Sequence, residues 1–285
     1  AYWAVTVCAA ALAYLPWVGN GLQAMVIGGQ ELSPTTLANF YALHTAVLPL
    51  VLLLLLPFHF WRIRKAGGLA AVGGDRIETI PHLLVRETAM ALTVIAVVIL
   101  MAALWDAPLG AEANPGLSPN PTKAPWYFAG LQELLLHMHP LAAIGLTGLV
   151  LIGLLFLPRW DRSEADIGVY FRSPAGRRTA LVGLLLSLNL VPVLVIVDEF
   201  WLDLPAWLPN LAPEISGGLI PFALSLIGLL GIYLALRLFV GAQGRRANHS
   251  EALLGLFVFL TASLLLLTLI GVFFRGPNMA LVLPF

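Results

Sequence analysis

Residues 42–65 read ALHTAVLPLVLLLLLPFHFWRIRK, an apolar run that ends on Arg62, Arg64 and Lys65 and carries two histidines, His44 and His59. A run this long and this apolar has the length of about 20 residues that a helix needs to cross a bilayer. Working outward, five further runs of the same kind follow, so that full spans are predicted near 35–63, 83–105, 141–158, 179–200, 217–240 and 252–274. The opening AYWAVTVCAAALAYLPW adds a partial seventh and reads as the end of a helix already under way. Hydrophobic residues make up 60% of the 285 and charged ones 11%, well below the roughly 25% of a soluble domain. The expected fold is all-α: a polytopic transmembrane helical bundle, six full spans plus the partial N-terminal helix, with surface helices on the outer side.

The composition also excludes. Net charge is zero and no basic run interleaves with aromatics, which leaves no surface for a nucleic acid. Cys8 is the single cysteine, so an intrachain disulfide, a cysteine-held cluster and covalent haem attachment are all ruled out within this sequence. Any metal centre must rest on histidine or carboxylate. The stretch LPWVGNGLQAMVIGGQELSPTT after the opening helix has too many glycines and polar residues to span and is expected to lie along the membrane surface, with Ser33, Thr35 or Thr36 capping the next helix.

Orientation follows from lysine and arginine. Arg62, Arg64, Lys65, Arg76 and Arg86 lie between spans one and two, Arg159, Arg162, Arg172, Arg177 and Arg178 between three and four, and Arg237, Arg245 and Arg246 between five and six. These are alternate loops, expected to face the cytoplasm. Only Lys123 and Arg275 fall on the other side, which also carries Asp198, Glu199, Asp203 and Glu214. That side, with the C-terminus, is expected to face outward.

The two histidines are the first candidate site. Fifteen residues at about 100° each bring His59 within about 60° of His44 around the helix, about 22 Å further along its axis. A single metal cannot reach both, whereas two redox centres stacked across the membrane each could take one imidazole and a second ligand from another helix. Hydrogen bonding to neighbouring helices is the plainer role for an intramembrane histidine, but two on one face at this separation favour the redox reading. Pro49 and Pro57 are expected to bend the helix.

The second candidate is the outer segment DAPLGAEANPGLSPNPTKAPWYFAGLQELLLHMHP, residues 106–140, with five prolines before Trp126 and a helical pattern after it. Pro125, Trp126, Tyr127 and Phe128, closed over by the surface helix from Trp17 to Met25, are expected to form an apolar slot. Glu133 lies seven residues beyond Trp126, on the same helix face, and is the carboxylate expected to accept a proton there. Burial is expected to raise its pKa.

Taken in order, Trp3 with AVTV, LPWVG at 15–19 and GGQELSPTTLANFYALHTAVLP at 28–49 resemble the cytochrome b family of quinol oxidoreductases, from its third helix through its surface helices into its fourth. The interval between the histidines and the HFWRIRKAGG that follows are similar to plastid and bacterial split-type members. APWYFAGLQELL at 124–135 resembles the family's quinol-oxidation signature, but Ala124 and Pro125 stand where that signature has proline and glutamate. The resemblance covers roughly residues 1–165, and spans four to six, with GVYFRSPAGRR and FFRGPNMALVLPF, are similar to the extended tails of some bacterial members. It divides the chain into 1–66, 67–165 and 166–285.

This resemblance implies two b-type haems, with His44 and His59 as metal ligands, and Arg62 and Arg64 beside the propionates or a cytoplasmic quinone site. It implies Tyr127 and Glu133 as the reactive groups of quinol oxidation. The implied partners are a Rieske-type iron-sulfur protein, a cytochrome c-type subunit, the quinone and a second copy of the complex in a bacterial inner membrane. The family's second helix, which carries the opposite ligand of each haem, would precede Ala1, so a further polypeptide or further sequence is expected to supply it. His82, His137, His139 and His249 sit at membrane ends and do not replace it. The alternatives are a haem-free quinone-site subunit, a proton-coupled transporter, or a structural anchor. Paired glycine-broken spans, the mark of many transporters, are not seen.

Labelling with an impermeant thiol reagent tests the orientation. A cysteine introduced near Lys123 should react from outside and one near Arg76 should not; the opposite pattern would reverse the topology.

Overall fold

A computed structural model describes residues 2–29, 31–67, 78–106, 110–161, 171, 173–242 and 244–283. Arg76, Arg162 and Arg172, used above for orientation, lie outside the described residues. The elements in chain order are α1 (Tyr2–Ala13), α2 (Gly19–Ile27), α3 (Pro34–Ala42), α4 (Leu48–Lys65), α5 (Leu84–Leu104), α6 (Trp126–His137), α7 (Pro140–Trp160), α8 (Pro174–Phe200), the short α9 (Leu204–Trp207), α10 (Ile220–Phe239) and α11 (His249–Phe273). Single π turns precede α4 (Leu43–Val47), α5 (Thr79–Leu83) and α10 (Ile215–Leu219). One two-residue hairpin pairs Gly241–Ala242 with Arg245–Arg246. Six helices are long and apolar enough to span: Pro34–Lys65, Thr79–Leu104, Pro140–Trp160, Pro174–Phe200, Ile215–Phe239 and His249–Phe273. The all-α polytopic bundle expected from the sequence is the fold observed.

Packing divides the chain into two units, residues 1–39 with 116–285, and residues 40–115. In the first, α11 is the central helix, packed against α8, α6 and α10. Its contact with α8 is a seam of small residues. Thr179, Gly183, Ser187, Val191 and Val195 recur every fourth residue on the buried face of α8 and meet Glu251, Gly255, Phe259 and Ala262 of α11. Inside a bilayer apolar surface supplies no driving force for helices to associate, so close approach through small residues and interhelical hydrogen bonds must do so. Both are present: Thr179 donates to the Glu251 carbonyl at 2.7 Å, and the Ser187 and Ser263 hydroxyls meet at 3.1 Å. A Cβ on Gly183 would stand 2.2 Å from the Gly255 carbonyl oxygen.

The helix ends alternate as the charge pattern requires. Ser250 at the start of α11 bonds Asp161 at the end of α7, Glu251 bonds Ser173 at the start of α8, and Arg178 donates to Gly241 after α10 at 2.9 Å. At the other end His139, just before α7, donates its N–H to Gly217 at 2.7 Å, and Tyr14 after α1 meets the His139 ring edge-on. The first end carries Arg159, Arg177, Arg178, Arg237, Arg245 and Arg246. Ser33 caps α3 by accepting from Thr36 N at 3.2 Å, and Thr36 also donates to the Ile27 carbonyl, which ties α3 to the end of α2.

The second unit holds α4 and α5, and no described residue in it is buried. A helix apolar all round with no protein cover is matched to lipid or to a partner chain, not to water.

Gly183→Ala should therefore weaken the bundle by about 1–3 kcal/mol, the cost of overpacking a fitted contact. Gly228→Ala of α10, where an added Cβ meets nothing within 4 Å, is the control. Thermal unfolding in detergent should show the first variant well below the second; equal midpoints would remove the seam from the account.

Candidate functional site

The span that carries the histidines, Pro34–Lys65, contains a π turn at Leu43–Val47 in which Leu48 N–H bonds the Leu43 carbonyl. Such a turn absorbs one extra residue. The interval from His44 to His59 thus advances like fourteen α-helical steps, about 40° from the same face and about 21 Å apart. Both side chains are exposed in their own unit. Among the described residues neither receives a hydrogen bond, and His59 has only the neighbouring ring of Phe60 beside it. An imidazole facing hydrocarbon without a partner is costly.

No three His, Cys, Asp or Glu side chains converge on a common point among the described residues. One unpaired imidazole at each of two depths is instead the donor set of one axial position at each of two haems, and in that respect the residues fit the group. Arg62 and Arg64 lie in the last turn of the same helix, with Lys65 over the Trp61 ring.

In the other unit, α6 begins after Pro125, and its first residues are open: Trp126 is 70%, Tyr127 62% and Phe128 48% exposed. Trp17, with φ of 64°, and Met25 are exposed as well, and α2 packs on α1. Glu133 shares the helix stripe of Trp126 as expected, but its surroundings differ. That stripe continues through Gly130, Glu133 and His137 beneath α11, where a Cβ on Gly130 would stand 2.8 Å from the Leu264 carbonyl. Glu133 is completely buried.

Its carboxylate is held by a residue from the far end of the chain. Arg275, just past α11 and 2% exposed, donates from Nε to both Glu133 oxygens at 3.0 Å and from Nη2 to Oε1 at 2.5 Å. Its Nη1 donates to Glu199 at 2.7 Å and to the Met279 carbonyl at 2.9 Å. His137 completes the cluster, with Nδ1 donating to Asp198 at 2.6 Å and Nε2 to Glu133 at 3.3 Å. Glu199 in turn accepts from Leu281 N at 3.0 Å. Three segments, α6, the end of α8 and the tail after α11, thus meet in one ionic knot.

The knot decides the protonation states. Burial pushes the Glu133 carboxyl up, but the hydrogen bonds and charges of His137 and Arg275 outweigh it and leave the group below the ordinary carboxylate value. The rise expected from burial is thereby reversed. Burial lowers His137, yet its bonds to Asp198 and Glu133 carry it up to about 9, so it stands as an imidazolium at neutral pH.

Sequence reasoning singled out Glu133 but not its partners, and read FFRGPNMALVLPF without assigning it chemistry. The available signal was charge at span ends: Asp198 and Glu199 close one span and Arg275 follows another on the same side.

Six apolar spans, a close-packed bundle with an ionic knot at one end, and a helix carrying two exposed histidines at different depths define a polytopic helical membrane protein. Residues 1–119 match the family model described as cytochrome b (N-terminal)/b6/petB, so that segment of the chain is similar to the cytochrome b family. It is 42% identical over 66 residues to cytochrome b6 of Prochlorococcus marinus, covering 23% of this chain and 30% of that protein. The cytochrome b6 of Synechocystis is also 42% identical over 66 residues, and that of Synechococcus elongatus 39%. The chain spans about 30% of the length of these relatives. The family match includes His44 and His59 and stops short of α6 and the knot.

Because Glu133 is held low, its contribution to stability is present above its ordinary value of 4.5 and is lost as pH falls. His137 is raised, so its contribution is full below 6.5 and is lost as pH climbs through about 9. The unfolding temperature should decline from pH 6.5 to 9, and His137→Gln should lower it at pH 6.5 while flattening that decline; an unchanged slope would take His137 out of the knot.

Proposed function

We propose that this chain is the cytochrome b subunit of a quinol-oxidising electron-transfer complex, in which His44 and His59 each give one axial imidazole to a b-type haem. The observation that carries this reading is the cytochrome b match over a spanning helix whose two histidines lie near one face and have no hydrogen-bond partner among the described residues. A b haem at each position supplies reversible one-electron transfer. The chain's own part there is to fix the depth and direction of each imidazole, with the opposite ligands coming from a further polypeptide or further sequence. Arg62 and Arg64, one turn past His59, offer positive charge to haem propionates or to a quinone at the cytoplasmic face.

Quinol oxidation belongs at the start of α6. Pro125, Trp126, Tyr127 and Phe128 are apolar or aromatic and open, and Trp17 and Met25 are further exposed side chains that can close over a ring. Tyr127 brings a phenol that can hydrogen-bond a quinol hydroxyl. Glu133, ionised by its bonds to Arg275 and His137, is a weak proton acceptor, and its role in this reading is to set the field and position of α6. Electrons would leave to a Rieske-type iron-sulfur protein and on to a cytochrome c-type subunit, in a dimeric complex of a bacterial inner membrane with the C-terminus outside.

The test is optical. In the purified complex His44→Ala and His59→Ala should each remove one b-type haem, seen as about half of the reduced-minus-oxidised absorbance, with a different midpoint potential lost in each case. Full haem content in both variants would defeat the assignment.

A further inference from the structure

The end of α11 and the tail after it touch the 120–137 segment at three separate places. Arg275 holds Glu133 in the middle of α6, as described. Asn278 accepts from Asn120 Nδ2 at 2.8 Å and donates its own N–H to Asn120 Oδ1 at 2.5 Å, a reciprocal pair on the proline-rich loop ahead of α6. Between them Lys123 donates to the Val272 carbonyl, the last turn of α11, at 2.9 Å.

The tail's backbone is shaped for these contacts. Asn278 and Met279 both adopt left-handed conformations, with φ of 55° and 58°, a region most residues other than glycine avoid. That turn aims the Asn278 N–H at Asn120 and the Met279 carbonyl at Arg275. It is closed by Gly276 N to Ala280 O at 2.9 Å and Val282 N to Phe274 O at 2.8 Å. Leu281 N on Glu199 fastens the same turn to α8.

We propose that residues 274–282 are a strap that positions the loop and helix bearing Trp126, Tyr127 and Phe128, with Arg275 and Asn278 as positioning residues for quinol. The inference rests on α6 being the quinol helix. Arg275 sets the depth and rotation of α6 through a carboxylate held at three points, and Asn278 sets the loop ahead of it. The open aromatic set lies between these two fixings in sequence. A shift of either would displace the aromatic rings without removing any group that touches the substrate.

Asn120→Cys with Asn278→Cys, in a Cys8→Ala background and in the intact complex, gives the experiment, because this pair is exposed and its loss leaves no buried charge. The two cysteines should cross-link on mild oxidation. Oxidised, the complex should keep the wild-type KM for quinol. Reduced, it should match Asn120→Ala, with KM raised roughly threefold to tenfold, kcat changed by less than about twofold, and haem spectrum and unfolding temperature unchanged. Failure to cross-link would overturn the strap. A cross-link with KM unmoved in Asn120→Ala and in Arg275→Lys, while Tyr127→Ala raises it, would overturn the positioning role. If Tyr127→Ala also left KM unmoved, the quinol reading of α6 would be what failed, and the inference would fall with it.

Discussion

A guanidinium almost sealed from solvent, bound to two carboxylates and a carbonyl, is the interaction on which the larger unit depends. Arg275 and Glu133 are each at most 2% exposed, and a charge in such a place is tolerated only with partners of good geometry. Here all of the geometry is supplied by distant parts of the chain, α6, the end of α8 and the tail. Removing one member of a buried pair commonly costs about 3–5 kcal/mol, because the other is left unpaired. The knot therefore makes the position of α6 conditional on the additional helices that follow it.

The knot can form only because the helices carrying it come close. Gly183 against Gly255, and Gly130 and Gly271 at the crossing of α6 and α11, allow backbone approaches that any side chain would prevent. With α8 and α11 joined along that seam, their ends bring Glu199 and Arg275 within 2.7 Å. At the opposite end the same two helices are joined by Ser173 on the Glu251 carboxylate and by Thr179 on the Glu251 carbonyl at 2.7 Å.

The unit containing α4 and α5 has the opposite character. None of its described residues is buried, and among them His44 and His59, polar groups at depth, have no hydrogen-bond partner. In the proposed reading, a prosthetic group with a second ligand elsewhere satisfies them.

Apolar run length and the alternation of basic loops determined the six spans and their order, because in a bilayer those properties act locally: each span needs only its own twenty or so residues. The spacing of His44 and His59 on one helix was legible for the same reason, although the π turn at Leu43–Val47 altered the angle by one residue's worth, and no side chain in that stretch announced it. Glu133 could be picked out as a carboxylate on the stripe of Trp126. Its protonation state could not, since burial alone argues for a raised pKa and the opposing charge lies 142 residues away in Arg275. That pairing, and with it the tail's hold on α6, was decided by how α8 and α11 pack, because an ion pair depends on separation in space and the sequence records only separation along the chain.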